Sequence, residues 1–498
     1  MTAVPFERVY CVTVSTPKRK FWVRGLRILT GSKYCLMATL LRVLIALIIA
    51  ATLGACHQSA PEPVSLNYLR LGWIPPYELS ETEALSRKFT RETGIGLRHF
   101  RGVQGETLDQ LTLTRKLLQE GGSGPDVLQI DVTWLGVLQG DLTDLRPYFA
   151  GESSSMGPGV ASSYVVGGKV VAIPYQNHVG VLEYRADLLR EYGYDHPPRT
   201  WDELERMAAR IQTSERAKGN QDFWGYVWPG AAAESLTCNA LEWQVAEGGG
   251  RIIENDGTIS VNNAAAIRAW QRARRWIGWI SPLSTVEYRE FDATNVFDSG
   301  RAAFARDWGA EYEGGGQPIS GAPGVIPEPM PRGFSTNREQ LRLVHGGGKL
   351  PVGKVGYTTL PSGSTASAGT LGGLGLAVSK HSLHPREDAA LIRFLLREQI
   401  ESIEKGAVPN LSTQVVVYDV APIVDSHDNP EKSGPLKAIV ISRPSSVAAS
   451  SYEQVTRAYF GAVHSVLTGQ RHAPESAAEL EKDLVKITGF RTGPPAKN

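Results

Sequence analysis

SLNYLRLGWIPPYELSETEALSRKFTRETGIGLRHFRGVQGETLDQLTLTRKLLQEGGSGPDVLQIDV (65–132) carries the reading of the fold. Its first nine residues form a strand-like run that Pro75-Pro76 stops. A helix follows, with Leu79, Leu85 and Phe89 at helical spacing and Gly94 as its stop. A short strand over 95–100 leads into a second helix over about 106–119, where Leu108, Leu111 and Leu118 share a face. After the turn sequence GGSGP, the run 126–132 is a third strand. A β-α-β-α-β order predicts a parallel sheet with right-handed crossovers. In such sheets ligands bind at the carboxyl ends of the strands, here the loops 72–78 and 130–134.

Outward from this unit the alternation continues. VVAIPYQNHVGVLEYRADLLREYG (170–193) predicts two strands flanking a bend at Pro174, then a helix. Thr200 and Glu203 form a capping box that opens a helix to about 212. Further helices are expected near 234–247, 262–279 and 298–306, in a tryptophan-rich region spanning about 215–370. LGGLGLAVS (371–379) reads as a strand and 385–397 as a helix, and two helices follow Arg443. No repeat of 20–50 residues is present.

The 498 residues, 42% apolar and 21% charged, belong to a folded chain of two to four domains at about 100–200 residues each. Charge is uneven. Residues 1–55 hold eight basic side chains against Glu7, a net of +7, which leaves −6 for the body of a chain whose total is +1. A mildly acidic body argues against nucleic acid as a partner. The charge-free run VLIALIIAATL (43–53) suits the apolar region of an export signal and is short for the ~20 residues of a spanning helix. Leu53-Gly54-Ala55-Cys56 resembles the lipobox of bacterial lipoproteins, in which the cysteine becomes the acylated N-terminus, and the polar, Pro-rich HQSAPEPVS behind it suits a tether. Either Met1 or Met37 starts the chain. Cleavage before Cys56 leaves Cys238 without a disulfide partner, as a small buried hydrophobe.

Motifs for chemistry are absent. Gly348-Lys349 and Gly353-Lys354 lack the spacing of a phosphate loop, and there is no H-E-x-x-H, G-x-S-x-G or C-x-x-C. His381 and His384 have no third ligand beside them. No metal, cofactor or catalytic residue is expected, and the chain is not read as an enzyme.

IPYQNHVGVLEYRADLLREYGYDHPPRTWDELERMAARI (173–211) holds, in order, the proline, Tyr-Arg, Asp-Leu-Leu and Pro-Pro-x-Thr-Trp-Asp-Glu-Leu elements of a known family. PDVLQIDVTWLG (125–136), FWGYVWPG (223–230), TCNALEWQVAEGGG (237–250), SGRAAFARDWGAEY (299–312), LGGLGLAVSK (371–380), Arg443-Pro444 and Leu467-Thr468-Gly469 support it. Over nearly all of 65–490 the chain resembles extracellular solute-binding protein family 1, the sugar-binding lipoproteins of ABC importers, and within it the trehalose/maltose-binding branch.

The resemblance implies an α/β, periplasmic-binding-protein-like clamshell of two lobes, each a mostly parallel sheet flanked by helices, joined by a hinge. The expected division is a signal peptide (1–55, with a possible over-long start), a lipidated tether (56–64), an N-terminal lobe (65–180 with part of 350–400), and a C-terminal lobe with the hinge crossings (181–498, its last helices at 445–490). The implied function is capture of a di- or oligosaccharide and its delivery to ABC permease subunits by a monomer anchored through Cys56 on the periplasmic or outer face of the membrane. A receptor feeding a membrane sensor and a carbohydrate-active hydrolase are the alternatives.

The same resemblance implies the ligand-binding residues. They are Glu78 in the first strand–helix loop, Asp131 at the end of the third strand, Asn177 and His178 where relatives carry an acid or Asn, and Glu234. Trp308 matches a sugar-stacking tryptophan, Gly372 and Gly373 let backbone approach the ligand, and Arg443 matches an arginine near the ligand. Trp73, Tyr77, Trp134 and Tyr175 are candidate wall aromatics. Two departures stand out: Leu374 replaces an aromatic after the glycines, and Trp228-Pro229-Gly230 is followed by three alanines. These leave a different oligosaccharide or a bulkier glycoside open.

Overall fold

A computed structural model describes residues 63–71, 76–103, 106–149, 164–308, 354–404 and 438–496; the side chains of 76–81, 101–103, 177 and 402–404 are outside the description. The leader, Cys56 and Trp73 lie outside the described residues.

The opening unit forms as its pattern dictates. Strand β1 (Ser65–Leu71) pairs in parallel with β2 (Gly96–Val103) and with β3 (Val127–Asp131), through helices α1 (Pro76–Thr93) and α2 (Thr107–Gln119). Gly94 ends α1 at φ +74°, a conformation that favours glycine. Leu108, Leu111 and Leu118 are the buried stripe of α2. A short helix, α3 (Leu135–Leu138), and the ribbon β4 (Val165–Val166) and β5 (Lys169–Val170) follow.

The two strands expected in 170–193 are β6 (Ile173–Val179) and β7 (Val181–Arg185), and the break between them is Gly180, not Pro174. Pro174 sits inside β6, where the pairing register with β11 (Ser367–Val378) slips between Leu374 and Gly375. A bulge tolerates a residue with no N–H to give to the ladder. Gly180 carries the change of sheet, since β6 belongs to the first sheet and β7 to the second.

Beyond β7 come α4 (Ala186–Glu191), α5 (Trp201–Ala217), β8 (Trp224–Val227), α6 (Glu234–Ala246), α7 (Ala264–Trp276), α8 (Glu290–Asp298), β9 (Ala302–Asp307) and β10 (Val355–Thr359). Thr200 caps α5, its Oγ1 accepting from Glu203 N at 3.1 Å, while the Glu203 carboxylate accepts from Arg199 N at 2.7 Å. The helix runs five residues past 212, to Ala217. The helix expected over 298–306 is instead the end of α8 and the strand β9. Gly300 at φ +77° breaks the helix, and the fully buried run Ala302–Asp307 is a central strand with no face open to solvent.

The first sheet has the order β12-β11-β3-β1-β2, with β6 also on β11 and β12 (Ala438–Ile441) parallel to β11. The second, β10-β7-β9-β8, is mostly antiparallel: β7 runs against both β10 and β9, and only β8 and β9 are parallel. The expectation of mostly parallel sheets in both lobes therefore holds for the opening unit and fails for the second. Helices α9 (Pro385–Glu404), α10 (Ser445–Ala448), α11 (Tyr452–Leu467) and α12 (Ala473–Thr488) complete the chain, with α11 packed on α6, α7 and α12.

Trp201, Tyr226, Trp228, Trp243 and Trp276 interlock at ring distances of 5.0–6.3 Å and make the second lobe's core. In the first lobe Phe89 of α1 meets Phe394 of α9 at 5.1 Å. Cys238 is buried in α6, and burial pushes its thiol up to about 12.

Candidate functional site

Polar side chains gather where the two sheets meet. Asp131 ends β3, its Oδ1 accepting from Thr133 N at 2.8 Å and from Thr133 Oγ1 at 2.6 Å, so the carboxylate is held by its own turn. Beside it Val132 N donates to Gly373 O at 3.0 Å. The register of β11 on β6 sets Gly372 opposite His178 and Gly373 opposite Asn177. Gly373 has φ +125°, and a Cβ on Gly372 would stand 2.8 Å from Trp308 Cζ3. Both glycines are needed for geometry: one for its backbone angle, one for the close approach of the indole.

Trp308 follows β9 from the second sheet and is half-buried. Its Nε1 donates to Glu290 Oε1 at 3.0 Å, and the Arg306 guanidinium lies over its ring at 3.8 Å. Burial raises the Glu290 carboxyl, opposed by the Trp308 hydrogen bond and by Arg306. His178 has an enclosed Nδ1 with no partner among the described residues. Burial lowers its imidazole, and Asp307 and Asp131 nearby pull the other way.

Arg443 is 5% exposed. Its Nη1 donates to Glu234 Oε1 at 2.8 Å and its Nη2 to Leu371 O at 3.3 Å, with Asp131 Oδ1 at 3.9 Å. Glu234, at the N-terminus of α6, also accepts from Tyr452 OH and, at 2.7 Å, from Thr456 Oγ1. Its oxygens are thus engaged inside the protein, and Arg443 and Glu234 form a brace linking β3, β11, α6 and α11.

The structure therefore brings Asp131, His178, Trp308, Gly372, Gly373 and Arg443 together, with Glu234 behind Arg443. Asn177 lies on the same strand. Glu78 falls in the first turn of α1, not in a loop, and its side chain is outside the description, as is that of Tyr77. Trp134 is fully buried and packs in the core; Tyr175 packs against the first lobe's apolar cluster. Sequence reasoning missed Glu290, Arg306, Asp307 and Glu242. A signal existed for two of them. The i, i+2 spacing of Arg306 and Trp308 in ARDW puts both on one face of a strand. Glu242 interrupts an otherwise uncharged run in a helix buried on every side, where an acid requires a partner.

Among the described residues no group of three His, Cys, Asp or Glu is placed to hold a metal ion. Carboxylates, an imidazole, a guanidinium, bare glycine backbone and an indole suit a polyhydroxylated ring compound. Hydroxyls need fixed donors and acceptors, and pyranose faces pack on aromatic rings.

This is the two-lobed architecture of periplasmic-binding-protein-like solute receptors, with a polar cluster at the seam between the sheets. The chain belongs to the bacterial extracellular solute-binding protein family, whose model matches residues 79–401. It is 36% identical over 399 residues, 78% of this chain and 86% of the other, to a Deinococcus radiodurans protein named "Probable ABC transporter-binding protein". Among solved structures it resembles maltose-bound T. maritima MalE3, at 26% identity and a TM-score of 0.64 over 85% of this chain and all of that one. A Thermotoga lettingae ABC transporter solute-binding protein bound with α-D-tagatose shares the fold at 18% identity, with a TM-score of 0.64 over 86% of this chain and all of the other. Members of the family are exported substrate-binding components of ABC transporters, and in general not enzymes.

Proposed function

We propose that the protein captures a di- or oligosaccharide of the trehalose/maltose kind at the seam between its lobes and delivers it to a membrane permease, anchored by a lipid on Cys56. The observation that carries the reading is Trp308. A half-buried indole from the second lobe rests on bare backbone of the first, at the point of β11 that pairs with His178, and donates its N–H to Glu290. An indole gives a sugar face a large apolar area at low entropy cost. The ligand's preference for the closed arrangement then drives the lobes together. Asp131 and His178 serve as hydroxyl partners and Glu234 acts through Arg443. The likeness to a maltose-bound protein supports the sugar class.

A thermal-shift screen over mono-, di- and oligosaccharides tests this. A ligand present at a hundredfold excess over its Kd adds about 2.7 kcal/mol. A sugar that stabilises Trp308→Ala as much as the wild type would remove the tryptophan from the site; no stabilisation by any sugar rejects the class. Binding of a labelled disaccharide without product separates capture from hydrolysis. For the anchor, Cys56→Ser should release the protein into the soluble fraction.

A further inference from the structure

The side chain that holds Trp308 in place belongs to an ion pair at the point where the chain changes lobes. Arg306 and Glu242 are 1% and 0% exposed as side chains. Arg306 Nη2 donates to Glu242 Oε1 at 2.6 Å and Nε to Oε2 at 3.1 Å, a two-pronged fork. Glu242 Oε1 also accepts from Thr370 N of β11 at 3.0 Å. Thr370 O in turn accepts from Gly180 N at 3.1 Å, and Gly180 is the single residue between the first-sheet strand β6 and the second-sheet strand β7. A Cβ at Gly180 would stand 2.0 Å from Glu242 Oε1 and 2.7 Å from Arg306 Nη2. One carboxylate therefore ties both β11 and, through Thr370, the Gly180 crossing to the guanidinium that covers the indole.

The energetics argue that the pair serves geometry. Taking two charges out of water costs several kcal/mol per ion, and apolar residues of similar volume are often as stable or more so. A planar guanidinium, however, holds a carboxylate with its fork and an aromatic ring with its face at the same time. We propose that Glu242 and Arg306 are positioning residues for ligand capture, setting the plane of Trp308 and linking it to the lobe crossing at Gly180. The proposal rests on the sugar-binding reading for its consequence, and on the geometry alone for the orientation of Trp308.

The test uses the full chain in two forms. Glu242→Gln/Arg306→Met removes both charges, while the amide oxygen still accepts from Thr370 N. Arg306→Lys keeps the cation and one bond to Glu242 but loses the flat group over the ring. Trp308 is isolated by subtracting, for each protein, the iodide quenching of the same protein carrying Trp308→Phe. Expected is at least about a twofold rise in Trp308 quenching in both forms, since the flat guanidinium covering the ring is gone. Maltose binding by calorimetry should weaken about tenfold in both, with a melting temperature near that of the wild type. Unchanged Trp308 quenching in a folded variant overturns the proposal. So does wild-type maltose affinity in both forms. If the double variant does not fold, Arg306→Lys decides. If the wild type binds neither maltose nor any sugar of the screen, the sugar reading fails while the quenching comparison still judges the positioning role.

Discussion

Arg443 and Glu234 are 209 residues apart in the chain and 2.8 Å apart in the fold, each side chain 4% exposed. Arg443 leaves the first sheet behind β12, and Glu234 opens a helix of the second lobe. Removing one partner of such a pair strands a buried charge, at a cost of about 3–5 kcal/mol. Glu234→Ala should therefore lower the denaturation midpoint strongly, because Tyr452 and Thr456 lose their acceptor as well. Chemical denaturation followed by far-ultraviolet circular dichroism measures it. A loss under about 1 kcal/mol would show the brace to be dispensable, since a single ordinary hydrogen bond contributes that much.

His178 makes stability depend on pH. Its folded imidazole sits below the usual 6.5, with burial the larger cause and Asp307 and Asp131 opposing it. A group lowered on folding binds its proton more readily in the unfolded chain. Its stabilising effect is thus complete above 6.5 and is lost as pH falls through the folded value. Thermal melts of the wild type and His178→Asn between pH 7.5 and 5 should diverge only on the acid side, the wild type falling faster. Sugar affinity should be flat near neutrality, because the ring is neutral there. Parallel melting curves would mean that His178 does not titrate across this range.

Arg289 Nη1 meets Glu106 Oε1 at 2.9 Å, joining the residue before α8 in the second lobe to the residue before α2 in the first. The pair is exposed, so its worth in stability is about 1 kcal/mol or less. Its effect should appear instead in the lobes' separation. Arg289→Glu sets two carboxylates face to face, and small-angle scattering should give a larger radius of gyration for the ligand-free protein, with little change in melting temperature. The difference should shrink at high salt. Equal radii at low salt would show that the pair does not hold the lobes together.

Ala449 has φ +46° and ψ −121°, a region that glycine alone enters freely. Its Cα is pressed against α3, where a Cβ on Gly136 would stand 2.8 Å away. Ala449→Gly should raise stability by about 1 kcal/mol by removing that strain. A midpoint unchanged or lowered in urea would show the strain to be absent.

The sequence alone determined much of this molecule. Local periodicity suffices for the β-α-β-α-β unit of 65–132, for the stripe of Leu108, Leu111 and Leu118, and for the Thr200 cap, because each depends on residues within a few positions of one another. The same local reasoning misplaced the break at Pro174 and read β9 as a helix. A proline inside a bulge and an alanine-rich central strand are decided by which strands lie alongside, and pattern along the chain does not contain that. Of the site, the motif likeness reached Asp131, His178, Trp308, the glycine pair and Arg443. Only the tertiary structure assembled them, and only it revealed that Glu234 serves Arg443, that Glu290 receives the indole N–H, and that Glu242 and Arg306 meet beneath Trp308. The physical reason is desolvation. A buried charge is tolerable only with a partner at bonding distance, and here the partners come from segments 18 to 209 residues away, which are neighbours only once both sheets have formed.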